Sequence, residues 1–242
     1  MPLKLTRKRV AALLFGVAVS QAADAADDRL KAAAEQAKPA LIDTLRDMVL
    51  IESGSSDVDG VKKMADFTEA RLKALGATTE RHQVTRGPGG DIVIGRFEGT
   101  GTRKLMLIAH MDTVYQHGIL ATEPYKVDGN LIYGPGIADD KGGVAVILHA
   151  LQILKDTGWR DYAKLTVSFN PDEEIGSIGS GDLISELADQ HDVVLSCEPT
   201  VAKPAAPYDS LVLGGSGSAT GTLEVKGLPR MRAPRPTAAA MR

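Results

Sequence analysis

The sequence predicts an α/β protein: a layered, mostly parallel sheet with helices on both faces. Three observations carry this. Between residues 105 and 198, strand-like runs alternate with helical ones. The run Leu-Met-Leu-Ile-Ala at 105–109 is continuously apolar, as in a strand covered on both faces. Polar and acidic residues follow such runs directly, where open α/β sheets collect ligands at strand carboxyl ends.

Taken in order, the chain opens with Lys4, Arg7, Lys8 and Arg9, then an apolar run over 10–19, then the small-residue stretches at 20–22 and 23–25. This pattern predicts a signal peptide over 1–25, and with it a periplasmic or secreted protein. The apolar run is too short to span a bilayer, which takes about 20 residues. No membrane attachment is therefore expected after cleavage. Residues 27–38 and 39–51 read as two helices, with Pro39 at a first helical position. Leu41, Leu45, Met48 and Val49 share one face. A helix over 60–75 places Val61, Met64, Ala65, Thr68, Leu72 and Leu75 at helical spacing and stops at Gly76. A strand around 92–94 runs toward the turn at 99–101. After the strand at 105–109 come a helix over 141–156, a strand at 165–169, a short helix at 180–188 and a strand at 193–195.

Composition narrows the function. Apolar residues make 43% of the 242, and charged residues 24%, enough for a folded core. Aromatics at 4% argue against stacking on nucleic-acid bases. The net charge of −3 conceals basic ends: the body over 10–225 holds 19 basic against 31 acidic residues. Such a body repels phosphate backbones and suits cations. The single cysteine, Cys197, excludes a disulfide framework and a cysteine-rich zinc site; it reads as a small core residue. No G-x-S-x-G, H-E-x-x-H or phosphate-loop pattern occurs.

Four polar positions fall at or near strand ends: His110 with Asp112; Asp139-Asp140 after Gly134-Pro135-Gly136; Asp172-Glu173-Glu174; and Glu198. One acid past a strand is ordinarily a helix cap or a solvated loop residue. Four such placements with an imidazole among them form a ligand set for a divalent metal, zinc first. Within Glu173-Glu174, one carboxylate can bind metal while the other moves a proton. An acidic helix start is the alternative. His82, His117, His149 and His191 match no ligand motif and read as structural or exposed.

The segments His110-Met111-Asp112-Thr113-Val114, Gly134 to Gly143 (GPGIADDKGG), Asp172 to Ser177 (DEEIGS) and Cys197-Glu198-Pro199-Thr200 closely resemble the co-catalytic zinc exopeptidases. That family includes glutamate carboxypeptidases, aminoacylases and succinyl-diaminopimelate desuccinylases, and the glutamate carboxypeptidase branch is nearest. The resemblance covers about 40–226, the N-terminal part of the catalytic domain, assigned to 26–226. It implies hydrolysis of a peptide or amide bond in a small peptide or N-acyl amino acid, with release of a C-terminal glutamate. It implies His110, Asp139, Glu174 and Glu198 as metal ligands, Asp139 bridging two zinc ions, with Asp112 orienting His110 and Glu173 as general base.

Members of the family continue past the segment like 222–227 with a Ser-His-Ala-Gly motif in a lid or dimerisation domain. They then return with a last histidine ligand. This chain instead ends in a basic, proline-rich stretch over 227–242. Back-translated with GC-rich codons and read two bases on, that stretch yields Ala-Ser-His-Ala-Gly, and the codons of Met231 and Met241 fit the shifted frame. The tail is thus expected to be out of frame, with a natural basic tail as the alternative. The expectation for the chain as written is one zinc ion or none and no family homodimer; a catalytically inactive fragment is the alternative to hydrolysis, and aminoacylase and dipeptidase are the alternatives within the family.

Overall fold

The computed structural model describes residues 7–199, with side chains from residue 28 onward. The side chains of the expected signal peptide, the runs Leu-Val-Leu at 211–213 and Thr-Leu-Glu-Val at 222–225, whose pattern predicts strands, and the basic tail over 227–242 lie outside the described residues. The elements are α1 (Arg7–Val49), α2 (Val58–Leu75), β1 (Thr78–Gln83), β2 (Asp91–Glu98), β3 (Lys104–His110), β4 (Lys126–Asp128), β5 (Leu131–Tyr133), α3 (Gly142–Asp156), β6 (Lys164–Asn170), α4 (Gly181–Ala188) and β7 (Val193–Ser196).

Five strands form one sheet in the order β1-β2-β6-β3-β7. The strands β6, β3 and β7 run parallel. Beside them, β2 pairs antiparallel with β6, and β1 antiparallel with β2. The α/β class stands, and the described sheet is mixed: a parallel trio extended by an antiparallel hairpin. The reason is local. The loop from β1 to β2 carries Gly87-Pro88-Gly89-Gly90 and is too short for the crossover that parallel strands need. By contrast α3 lies between β3 and β6, and α4 between β6 and β7.

Helices cover both faces. On one, Val93, Ala109, Leu165, Val167 and Phe169 pack with Met48 and Val49 of α1, Met64 and Leu72 of α2, and Val144 and Leu148 of α3. On the other, Ile92, Ile94 and Met106 pack with Leu187 of α4 and with Val84. The period-two side-chain alternation of a strand explains the division, since Val93 lies between Ile92 and Ile94. In α2 the six positions expected to face inward are all buried, and Gly76 closes the helix in a left-handed conformation at φ 102°.

One expectation changes, and two elements appear that the sequence pattern does not predict. Instead of two helices, α1 continues through Pro39. Proline removes one N–H, leaving a carbonyl one turn earlier without its partner. Pro39 is exposed, so water can take that bond. The strand β1 (Thr-Thr-Glu-Arg-His-Gln) carries no apolar pattern because charges hold it: Glu80 pairs with Arg96 of β2, and Arg81 with Asp66 and Glu69 of α2 at 2.8 and 2.9 Å. Such a charged edge also discourages pairing with other chains. The hairpin β4–β5 is closed by Gly129 and Asn130, with Gly129 at φ 59°. Among the described residues no helix is long and apolar enough to cross a membrane.

Candidate metal centre

The carboxyl ends of three parallel strands converge on one spot. His110 is the last residue of β3, Glu173 and Glu174 follow β6 in a short turn, and Glu198 follows β7. Asp139 comes from a different source, the turn Ile137–Lys141 that leads into α3. There it leaves helical conformation at φ −123°, ψ 98°, and the Asp139–Asp140 peptide is cis. The structure therefore brings all six residues expected at the site, including Asp112, into one cluster.

His110 is the centre of that cluster and is buried. Its Nε2 lies 2.8 Å from Asp139 Oδ1, 3.2 Å from Glu198 Oε1 and 4.0 Å from Glu173 Oε2. Its Nδ1 faces Asp112, 3.0 Å from the main-chain carbonyl and 3.3 Å from Oδ1. With Nδ1–H bonded to Asp112, Nε2 is the atom at which a cation would take the place of a proton. Burial disfavours charge on the ring, but the hydrogen bonds and charges of Asp112 and Glu198 outweigh it and push its pKa up to about 11. Burial raises the Glu173 and Glu174 carboxyls above the usual range, with the neighbouring carboxylates adding to it and His110 opposing.

The donor chemistry fits a divalent cation. His110, Glu173 and Glu198 can each offer one ligand atom, all within 4.8 Å of one another; so can His110, Asp139 and Glu174. One imidazole with hard carboxylates is the set zinc and similar ions take. The two groups place Glu173 beside Glu198 and Glu174 beside Asp139, and both use His110.

The supporting residues were less visible in the sequence. Asp140 is fully buried and accepts from the backbone N–H of His110 at 3.2 Å and of Gly143 at 3.1 Å, tying the end of β3 to the start of α3. Burial first, then the charge of Glu198, raises its pKa to about 8. A Cβ on Gly143 would lie 2.1 Å from Asp140 Oδ1, so glycine is needed for this approach. Lys141 is buried, donates to the Ile51 carbonyl at 2.7 Å, and burial lowers its pKa to about 8. The buried Asp172 accepts from the backbone N–H groups of Gly179 and Ser180, shaping the loop that carries both glutamates. The remaining histidines lie away from the centre: His82 and His117 are exposed, His149 bonds to Thr44, and His191 bonds to Thr166. Cys197 is half-buried against the core, and burial raises its thiol pKa to about 11.

A cleft of about 680 Å³ opens beside Asp139 and Glu174, walled by Val114, Tyr115, Ile132, Tyr133 and Ile137.

Fold and site together define an α/β protein with an imidazole–carboxylate centre at the carboxyl edge of its sheet. The chain belongs to the peptidase family M20/M25/M40, which residues 106–239 match, a span that runs past Gly227 into the basic tail. It is 47% identical to Carboxypeptidase G2 of Pseudomonas sp. (strain RS-16) over 91% of this chain and 53% of that protein. It is 30% identical to the Cys-Gly metallodipeptidase DUG1 of Candida albicans over 65% of this chain and 36% of that one. Among solved structures, a tripeptidase of Staphylococcus aureus superposes with a TM-score of 0.56 at 25% identity, covering 66% of this chain and 43% of its own. The chain thus spans about half the length, or less, of the relatives it matches.

Proposed function

We propose that the centre serves metal-dependent hydrolysis of a peptide or amide bond, with zinc as the cation. Family membership supports the reaction class. The observation that carries the reading is His110 Nε2 facing Asp139 and Glu198, with Glu173 and Glu174 at hand. When bound, the cation supplies Lewis-acid polarisation of the scissile carbonyl and lowers the pKa of the attacking water. In this reading His110, Asp139, Glu174 and Glu198 hold the cation, and Asp112 keeps a proton on His110 Nδ1. Glu173 takes the proton from water and passes it to the leaving amine. The cleft beside Asp139 and Glu174 receives the substrate, a small peptide or N-acyl amino acid.

Among substrates, release of a C-terminal glutamate is favoured by the 47% identity to a protein named as a carboxypeptidase. Dipeptidase and aminoacylase activity are the alternatives. The test is hydrolysis of N-acyl-glutamate against a Cys-Gly dipeptide and an N-acetyl amino acid, each with and without a chelator. The glutamate substrate should be preferred, and the chelator should remove the activity.

A second reading is a chain that holds one cation without turnover. It is favoured by the sharing of one His110 Nε2 between both donor groups among the described residues. Zinc bound without hydrolysis of any of the three substrates would select it.

Export is part of the proposal, on the basic, apolar and small-residue order of residues 1–25. Expressed in a Gram-negative host, the protein should be found in the periplasm, shortened near Ala22 or Ala25 by intact mass. A full-length cytoplasmic product would overturn export.

A further inference from the structure

The segment Glu52 to Ser55 lies against the chain that leaves β3, residue by residue. Glu52 accepts from the backbone N–H groups of Gly118 and Leu120, both at 2.8 Å. The Ser53 hydroxyl donates to the Met111 carbonyl at 2.8 Å, and the Ser53 carbonyl accepts from Thr113 N–H at 2.9 Å. Gly54 pairs with Thr113 so closely that a Cβ there would meet the Tyr115 carbonyl oxygen at 2.0 Å. The buried Ser55 donates through its hydroxyl to Asp112 Oδ2 at 2.7 Å, its shortest contact in this region.

From this placement we infer that Ser55 is a positioning residue for the cation centre, acting through Asp112. The inference rests on the metal-centre reading above. The fully buried Asp112 carboxylate accepts three hydrogen bonds, from Glu173 N–H on Oδ1 and from Ser55 Oγ and Glu174 N–H on Oδ2, while His110 Nδ1 bonds the Asp112 main-chain carbonyl and lies 3.3 Å from Oδ1. A carboxylate offers about four lone-pair directions, and these contacts occupy most of them. Among these donors Ser55 alone is neither a site residue nor part of the Glu173–Glu174 turn. It sets the rotation of the carboxylate from outside the cluster. With that rotation fixed, one oxygen is presented to His110 and Glu173 and the other to Glu174. Removing the hydroxyl frees Oδ2 from its shortest bond and lets the carboxylate turn, so the imidazole keeps its bond to the Asp112 main-chain carbonyl but loses the carboxylate oxygen that braces its aim.

The test uses the 242-residue chain, freed of metal and titrated with zinc or with cobalt(II), whose visible absorption reports ligand geometry. Ser55→Ala should weaken zinc binding by roughly tenfold, at the low end of the loss expected for partners that orient a ligand. It should also alter the cobalt spectrum. Ser55→Thr, which keeps a hydroxyl, should restore both. Ser53→Ala, which removes a hydroxyl of the same segment that touches only the Met111 carbonyl, should lower thermal stability and leave affinity and spectrum unchanged. Equal affinity and spectra in wild type and Ser55→Ala overturn the positioning role while the metal reading stands. The same weakening in Ser53→Ala as in Ser55→Ala also overturns it, by showing general loosening. Failure of the wild-type chain to bind either cation overturns the metal reading itself, and the positioning role with it.

Discussion

Asp112 Oδ1 accepts the backbone N–H of Glu173 at 3.1 Å, across 61 residues of sequence. The carboxylate that faces the histidine thus also holds the turn bearing the expected base, and the ends of β3 and β6 are locked through one side chain. Asp112→Asn keeps the shape but removes the charge and puts an NH₂ group against one pair of donors. Hydrogen bonds to charged groups contribute about 1.5–3 kcal/mol, and an unsatisfied buried donor costs about as much. The expected outcome is a loss of about 2–3 kcal/mol in unfolding free energy, together with zinc binding weaker by roughly 10- to 100-fold. Urea unfolding and a competition titration measure the two. Unchanged zinc affinity would show that Asp112 acts on the fold alone.

Both donor groups draw on His110, whose Nε2 faces Asp139, Glu198 and Glu173, and that atom has one lone pair. Among the described residues a second cation would be left with carboxylates alone, short of the three protein ligands that usually include nitrogen or sulfur. The chain should therefore hold about one zinc tightly, and His110→Ala should abolish it. Glu174→Ala should change the affinity little, since Asp139 and Glu198 remain beside His110 Nε2 at 2.8 and 3.2 Å. Elemental analysis of dialysed protein decides the matter; two tightly held zinc ions per chain would contradict the argument.

Two histidines away from the centre should respond to pH with opposite signs. Thr44 Oγ1 accepts from Arg71 at 3.1 Å and lies 2.9 Å from His149 Nε2. Burial, helped by the Arg71 charge, favours the neutral ring and lowers its pKa below 6.5. A lowered histidine stabilises the fold fully above its unfolded value of about 6.5 and loses the contribution as pH falls from there toward its folded pKa. His117 is the reverse: hydrogen bonding to Asp57 at 2.8 Å, then the charges of Asp57 and Glu52, raise its pKa. Its contribution is present below about 6.5 and is lost as pH rises through the raised value. Melting curves at a series of pH values should show the His149→Gln deficit shrinking toward acid and the His117→Gln deficit shrinking toward alkali. Deficits independent of pH would mean that neither ring titrates as its surroundings require.

The cluster itself could be read from the sequence because its chemistry follows strand ends directly: His110 after an apolar run, and Glu173, Glu174 and Glu198 after others. The same local logic found the inward face of α2, where six apolar or small residues repeat at helical spacing. What escaped depends on partners distant in sequence. Ser55 meets Asp112 across 57 residues, and no local pattern in Glu-Ser-Gly-Ser announces it. The strand β1 is held by charges on α2 and β2 rather than by its own hydrophobicity, so periodicity could not reveal it. The hairpin of β4 and β5 did leave a signal, the glycine after Asp128, but three-residue strands are too short for alternation to register.

Glu173 and Glu174 are neighbours in sequence, yet the geometry gives them different company. Glu173 Oε2 stands 4.0 Å from His110 Nε2, on the Glu198 side, and its side chain is half exposed. Glu174 stands on the Asp139 side, in the wall of the cleft of about 680 Å³. A proton carrier must reach both water and the cation's surroundings, and a half-exposed carboxyl with a raised pKa meets that need better than a saturated ligand. Glu173→Ala should therefore keep zinc in place, because Asp139 and Glu198 still stand beside His110 Nε2. In protein that turns over an N-acyl-glutamate, the substitution should cost about 10²- to 10⁴-fold in kcat with KM little changed, the usual contribution of a positioned base. Kinetics on zinc-loaded protein, paired with elemental analysis of the same sample, separate the roles. Loss of zinc in step with loss of rate would make Glu173 a ligand and move the proton transfer to another carboxylate, with Glu174 the first to examine.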